Sequence, residues 1–146
     1  MEQRLSLVSL GVNDLKASTA FYEKLGWRHS AANSNDQITF FQLGGIILGL
    51  YGRQALAEDI GLGSGDGSGF AGLTLAHNAR SKDEVDALLA DVEAAGGVIA
   101  KPAEEVFWGG YSGYFRDLDG HYWEVAWNPF FPIAEDGSIT LPDGPP

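Results

Sequence analysis

One order of elements runs twice along this chain of 146 residues, and that repetition limits the fold more than any single motif. Leu5 to Val12 is rich in apolar and β-branched residues and reads as a strand. Asn13 or Asp14 then offers a side-chain oxygen for a helix N-cap. Leu15, Phe21, Tyr22 and Leu25 form an apolar stripe at helical spacing, and Gly26 suits a left-handed C-terminal cap. Strands are predicted at Trp27–Ala31, Gln37–Gln42 and Ile46–Tyr51, with Leu43-Gly44-Gly45 turning between the last two. Arg53–Ile60 adds a short amphipathic helix. The order then recurs: a strand at Phe70–Ala76, a helix opened by a capping box of Ser81 and Glu84, and strands at Val98–Lys101, Tyr111–Arg116 and His121–Trp127. Val85, Leu88, Leu89, Val92 and Ala95 supply the second helix's buried stripe, and Asp117-Leu118-Asp119-Gly120 supplies the second hairpin turn.

The expectation is an α+β fold of two βαβββ modules, residues 4–60 and 70–128, joined by a glycine-rich connector at 61–69. That connector is no phosphate loop. It has no G-x-G-x-x-G register, and a strand rather than a helix follows it. Residues 129–146 carry five of the six prolines, which preclude a long helix, but also Phe130, Phe131, Ile133, Ile139 and Leu141. They are expected to pack as an extended strap on the domain or on a partner subunit, ending in a frayed tip.

Composition removes several function classes. The chain has no cysteine, which excludes disulfides, thiolate metal sites and a cysteine nucleophile together. A net charge of −11 with no basic run argues against nucleic acid, because such a surface repels phosphates. Apolar runs such as Gly44–Leu50 are far shorter than the roughly 20 residues a membrane helix needs. The start, Met1-Glu2-Gln3-Arg4, lacks an apolar signal core, so a cytoplasmic protein with no membrane partner is expected. No serine sits in a G-x-S-x-G elbow, and no H-E-x-x-H, Walker or EF-hand loop occurs.

Two segments resemble a known family. Leu10 to Trp27 (LGVNDLKASTAFYEKLGW) is similar to the first strand and helix of vicinal-oxygen-chelate proteins, the glyoxalase/bleomycin resistance/dioxygenase superfamily, where V-x-D-L…FY…LG-[FW] recurs. Gly113 to Glu124 (GYFRDLDGHYWE) resembles that superfamily's closing hairpin, D-P-D-G-[HN]-x-[WI]-E, with Leu118 in place of the usual proline. Gly44–Asp59, Leu75–Asp86 and Phe107–Asn128 further resemble a glyoxalase-like subgroup. The resemblance implies that each module curls into a half-open sheet around a shared pocket. In the superfamily's enzymes a divalent metal there is held by three or four His, Glu or Gln residues from the first and last strands of the modules. An open coordination position then takes the substrate oxygens.

Carried onto this chain, those ligand positions fall at Leu7, Gly49, Thr74 and Glu124. Only Glu124 is a conventional ligand, and one carboxylate does not hold a metal tightly. A bulge or a register shift in the strand before it could bring in His77. His121 reads as a turn residue, and His29 lies on a predicted edge strand. Glu124 itself could be a general base, a ligand-orienting acceptor, or a structural group bonded to backbone or to a tyrosine.

The segment Phe107–Phe115 (FWGGYSGYF) sets large rings beside three glycines, which suits either core packing or a ligand-contact strip that includes Trp108. Alternation along the last strand places Tyr122, Glu124 and Ala126 on an inner face and Trp123, Val125 and Trp127 against a helix. Across the hairpin it puts Tyr111, Gly113 and Phe115 on that inner face, with Phe41 or Gln42 in the equivalent place of the first module. A register shift of one residue would reverse these assignments. The functional expectation is a metal-independent small-molecule binding protein of the bleomycin-resistance type. Its organic, cationic or aromatic guest would meet Glu124, Tyr122, Tyr111, Phe115, Trp108, Phe41 and His77, with no cofactor. The alternative is a metal-dependent lyase, isomerase or dioxygenase using Glu124 and His77, and a third reading is an interaction protein whose pocket side chains fill. The resemblance also implies a homodimer.

Overall fold

Asp14 starts the first helix as the sequence implies: its carboxylate accepts from the Ala17 N–H at 2.9 Å, and α1 runs Leu15–Lys24. Gly26, at φ +98°, turns the chain out of it in a conformation that a side chain would strain. The computed structural model describes residues 3, 6–59, 71 and 73–140, and these divide into two units. The glycine-rich connector 61–69 and the tip 141–146 lie outside the described residues.

The first unit holds β1 (Leu7–Val12), α1, β2 (Ile38–Leu43), β3 (Ile46–Gly52) and α2 (Arg53–Asp59). Its sheet has the order β1-β3-β2, with β1 parallel and β2 antiparallel to β3. One face is core: Leu10, Val12, Phe41, Leu48 and Leu50 are buried together with Phe21 and Tyr22 of α1. The predicted strand Trp27–Ala31 is reduced to a single bridge, His29 with Phe41. The reason lies in polar side chains that take over ladder bonds: Phe40 N–H donates to Ser34 Oγ, and Gln37 and Ile38 N–H groups donate to Asn35 Oδ1. Trp27, the first residue of that predicted strand, stacks on Tyr22 at 5.1 Å between ring centroids and is held on the helix.

The second unit holds β4 (Leu75–Asn78), α3 (Lys82–Ala94), β5 (Val98–Glu105), β6 (Tyr111–Arg116) and β7 (Tyr122–Trp127), in the sheet order β4-β7-β6-β5. β4 is parallel to β7, and β7–β6 and β6–β5 are antiparallel. The arrangement of first, last and middle strands thus repeats that of the first unit, as the doubled element order implies. Ser81 caps α3 by accepting from Glu84 N–H at 3.1 Å, but the Glu84 carboxylate takes the N–H of Arg80 rather than that of Ser81. β5 runs four residues past its predicted end because it is an edge strand with two register shifts, where Pro102 is tolerated. The described part of the tail is strapped to this unit. The Arg80 guanidinium donates to the carbonyls of Ile133 and Ala134 at 3.0 and 2.8 Å.

The turn between β6 and β7, Asp117–His121, clusters with the first unit. Asp117 is buried and accepts from the Tyr22 hydroxyl at 2.6 Å, as well as from the N–H groups of Asp119 and His121. Asp119 accepts from the Asn13 N–H at 2.7 Å and from the Ser18 hydroxyl. His121 Nε2 lies 2.8 Å from the Gly11 carbonyl; an oxygen that can only accept requires the proton on Nε2. The D-L-D-G-H motif is therefore structural, with both carboxylates and the imidazole used as locks.

Candidate functional site

The second sheet has two unlike faces, and the β6–β7 register decides what each carries. Phe115 pairs with Trp123, Gly113 with Val125 and Tyr111 with Trp127, so these six share one face. It is the covered face. Trp123 and Val125 are buried, and the Phe115 and Trp123 rings stack with planes 2° apart. Gly113 lies so close under α3 that a Cβ there would stand 2.9 Å from Leu89 Cδ1. Tyr111 donates its hydroxyl to Asp86 of α3 at 2.7 Å, and the Lys82 ammonium sits over the Tyr111 and Trp127 rings.

The expectation that Tyr111, Gly113 and Phe115 share the face of Glu124 is therefore corrected. The structure shifts that strand by one residue, and close packing against α3 requires the glycine on the helix side. Opposite Glu124 stands Tyr114, opposite Ala126 stands Ser112, and opposite Tyr122 stands Arg116. These are the residues sequence reasoning missed. Gly113 was the available signal, because a glycine between two large residues marks a close approach of another backbone or helix. Tyr122, Glu124 and Ala126 do lie on one face of β7, with Trp123 and Val125 on the other, as alternation predicts.

On the Glu124 face, which is buried at Ser112 and Ala126 and reaches solvent at Arg116, the Tyr114 hydroxyl donates to Glu124 Oε2 at 2.6 Å. Of the roles open to Glu124, a carboxylate bonded to tyrosine is the one observed. The bond raises the Tyr114 pKa above 10.0, since ionising the phenol would break the bond and set two negative charges together; desolvation adds to the effect. Glu124 Oε1 has no partner among the described residues and is not among the buried unsatisfied atoms, so it reaches solvent. The row continues across the sheet, Lys101 pairing with Tyr114 and Ala76 with Glu124.

His77 pairs with Val125 and so lies on the face opposite to Glu124, with no bulge in β4 to turn it. The proposed convergence of His77 with Glu124 is corrected for that reason. Desolvation by surrounding protein lowers the His77 pKa from 6.5, against a smaller opposite effect of the Glu84 carboxylate. Phe41 is wholly buried between Tyr22 and Trp27 in the first unit's core and is not a ligand contact. Gln42 lies on the other face of β2, is exposed, and donates to the Gly44 carbonyl. Trp108 is half-buried in the β5–β6 turn, its ring laid over Gly110, while Phe107 beside it is fully exposed.

The donor set does not fit a divalent metal centre of the kind the resemblance implies. In the second sheet the parallel neighbour of Glu124 is Ala76, and one Glu124 oxygen is already committed to Tyr114. In the first sheet the positions the resemblance assigns hold Leu7, which pairs with Ile47, and Gly49, which pairs with Ser9; the Phe40 ring lies across Gly49, 3.2 Å from where a Cβ would be, and Thr74, just before β4, brings only a hydroxyl. Among the described residues no three His, Asp or Glu side chains come together as they would around an ion.

Comparison with solved structures matches this architecture. A glyoxalase-related enzyme from Fulvimarina pelagi is 41% identical, with TM-score 0.86, over 95% of this chain and 98% of that one. A glyoxalase/bleomycin resistance protein/dioxygenase from Nocardioides is 25% identical, TM-score 0.72, over 87% and 84% of the two chains. A lactoylglutathione lyase from Agrobacterium tumefaciens is 26% identical, TM-score 0.64, over 88% and 96%. Comparison with curated proteins found no match. The sequence profile of one family matches residues 4–125, spanning both repeats and the closing hairpin, and the chain belongs to the Glyoxalase/Bleomycin resistance protein/Dioxygenase superfamily.

Proposed function

We propose that this protein binds an organic small molecule on the Glu124 face of its second sheet, without a metal ion. The observation that carries the reading is the Tyr114–Glu124 hydrogen bond. It holds the carboxylate in one orientation, so that Oε1 presents a fixed acceptor to a ligand N–H or cation. Tyr122, two residues along β7 on the same face, adds an aromatic surface. A planar cation gains from both, through a charge-assisted hydrogen bond and cation–π attraction. The acidity of the chain, −11 overall, favours the approach of such a ligand.

Benzamidine is a suitable probe. It is expected to raise the melting temperature of the intact protein, with the same shift in the presence of EDTA and little shift for Glu124→Gln. The competing reading is a metal-dependent lyase, isomerase or dioxygenase, and its support is the similarity to the Agrobacterium tumefaciens lactoylglutathione lyase. Protein purified without chelator distinguishes the two. Stoichiometric Ni, Zn, Mn or Fe that disappears in Glu124→Gln would overturn the metal-independent reading.

A further inference from the structure

We infer that the ligand of this face is a zwitterion, its anionic group held by Arg116 and its cationic N–H group by Glu124. The inference rests on the reading of Glu124 as a ligand acceptor and extends it to a second anchor. Arg116 ends β6 on the same face as Tyr114, is exposed, and pairs in register with Tyr122. That register makes Arg116 and Glu124 diagonal neighbours across β6 and β7, with Cα atoms roughly 7–8 Å apart.

The two charges do not neutralise each other: no ion pair joins them. Arg116 makes no side-chain hydrogen bond, ion pair or ring contact among the described residues. Lys101, which pairs with Tyr114 on this face, is already met by Glu104, 3.0 Å away. Among the described residues, Arg116 is thus a cation left open beside the Tyr114–Glu124 pair. A guanidinium presents parallel N–H donors whose spacing matches the two oxygens of a carboxylate.

Charge on the larger scale selects between a plain anion and a zwitterion. A chain of net −11 repels a free anion during approach. A ligand carrying both signs is neutral at a distance and meets Arg116 and Glu124 only on arrival. Its two groups must be separated by several bonds to span the diagonal, which points to ω-amino acids and related peptide-like zwitterions rather than to α-amino acids.

The test uses the full chain, isotope-labelled, with side-chain NMR signals of Arg116 and Glu124 followed during titration. The probes are β-alanine, γ-aminobutyrate and ε-aminocaproate, with caproate and hexylamine as single-charge controls and benzamidine as a reference. One of the ω-amino acids is expected to shift both signals and to bind at least roughly tenfold more tightly than either control, the factor one added charged hydrogen bond supplies. Arg116→Met is expected to remove that advantage while leaving hexylamine and benzamidine binding unchanged. Both positions reach solvent, and circular dichroism confirms that each variant is folded. If benzamidine binds through Glu124 but no ω-amino acid exceeds the controls, or Arg116→Met leaves their affinities unchanged, the zwitterion inference is overturned and the proposed function stands. If no probe moves the Glu124 signal, both fall.

Discussion

The roles of single residues here follow from which hydrogen bonds their side chains have already made. Glu124 gives one oxygen to Tyr114 and keeps the other, whereas Asp117 and Asp119 use both of theirs, Asp117 on the Tyr22 hydroxyl and two N–H groups of its own turn and Asp119 on Asn13 N–H and the Ser18 hydroxyl. Replacing Tyr114 with Phe frees the carboxylate to rotate, and benzamidine binding is expected to weaken roughly fivefold to tenfold, about the worth of one lost orienting hydrogen bond. Titration calorimetry measures that change. The same bond sets a pH dependence. Tyr114 has a higher pKa in the folded chain than the ordinary 10.0, so the folded state holds the proton more tightly than the unfolded chain. Its contribution is full below pH 10.0 and is lost as the pH rises through the folded value; urea midpoints measured across this range should fall more steeply than in Tyr114→Phe. His77 behaves in the opposite sense. Its lowered pKa favours the neutral folded form, so its contribution is present above 6.5 and is lost as the pH falls through the folded value.

At the scale of elements, the register of β6 against β7 is the feature on which the site turns. Alternation alone identified the face of β7 correctly, but it could not tell which residues of β6 lay opposite, because a hairpin loop of uncertain length leaves the pairing open by one. Gly113 resolves it. A Cβ there would come within 2.9 Å of Ala103 N, Lys101 O and Leu89 Cδ1, two of them backbone atoms that cannot yield easily. Gly113→Ala is accordingly expected to destabilise the protein by about 1–3 kcal/mol, seen as a lower urea midpoint, while Gly45→Ala, which meets no atom within 4 Å, has little effect. Ser81→Ala removes the α3 cap and should cost about 1 kcal/mol. The caps were legible because they depend on residues three apart. The failed strand at 27–31 was not, because its loss depends on Ser34 and Asn35 competing for ladder bonds from a turn not visible as such in the sequence.

For the whole molecule, the β6–β7 turn is the point where a segment between two strands of the second unit is built into the first. Asp117→Ala would remove the carboxylate that accepts from the buried Tyr22 hydroxyl and from two backbone N–H groups, at a cost on the order of 3 kcal/mol. Leu118→Ala, in the same turn but exposed, should stay within about 0.5 kcal/mol, and urea unfolding of the two variants checks the contrast. The amino-acid sequence by itself determined the doubled element order apart from the strand at 27–31, the helix caps, the tight turns and the family, since each rests on local patterns of apolar spacing and hydrogen-bonding residue types. Only the tertiary structure decided that Tyr114 and Arg116, not Tyr111 and Phe115, accompany Glu124, that His77 faces away from it, and that Phe41 is core. Those outcomes depend on which strand neighbours which and in what register, and that is settled by packing between residues far apart in the chain.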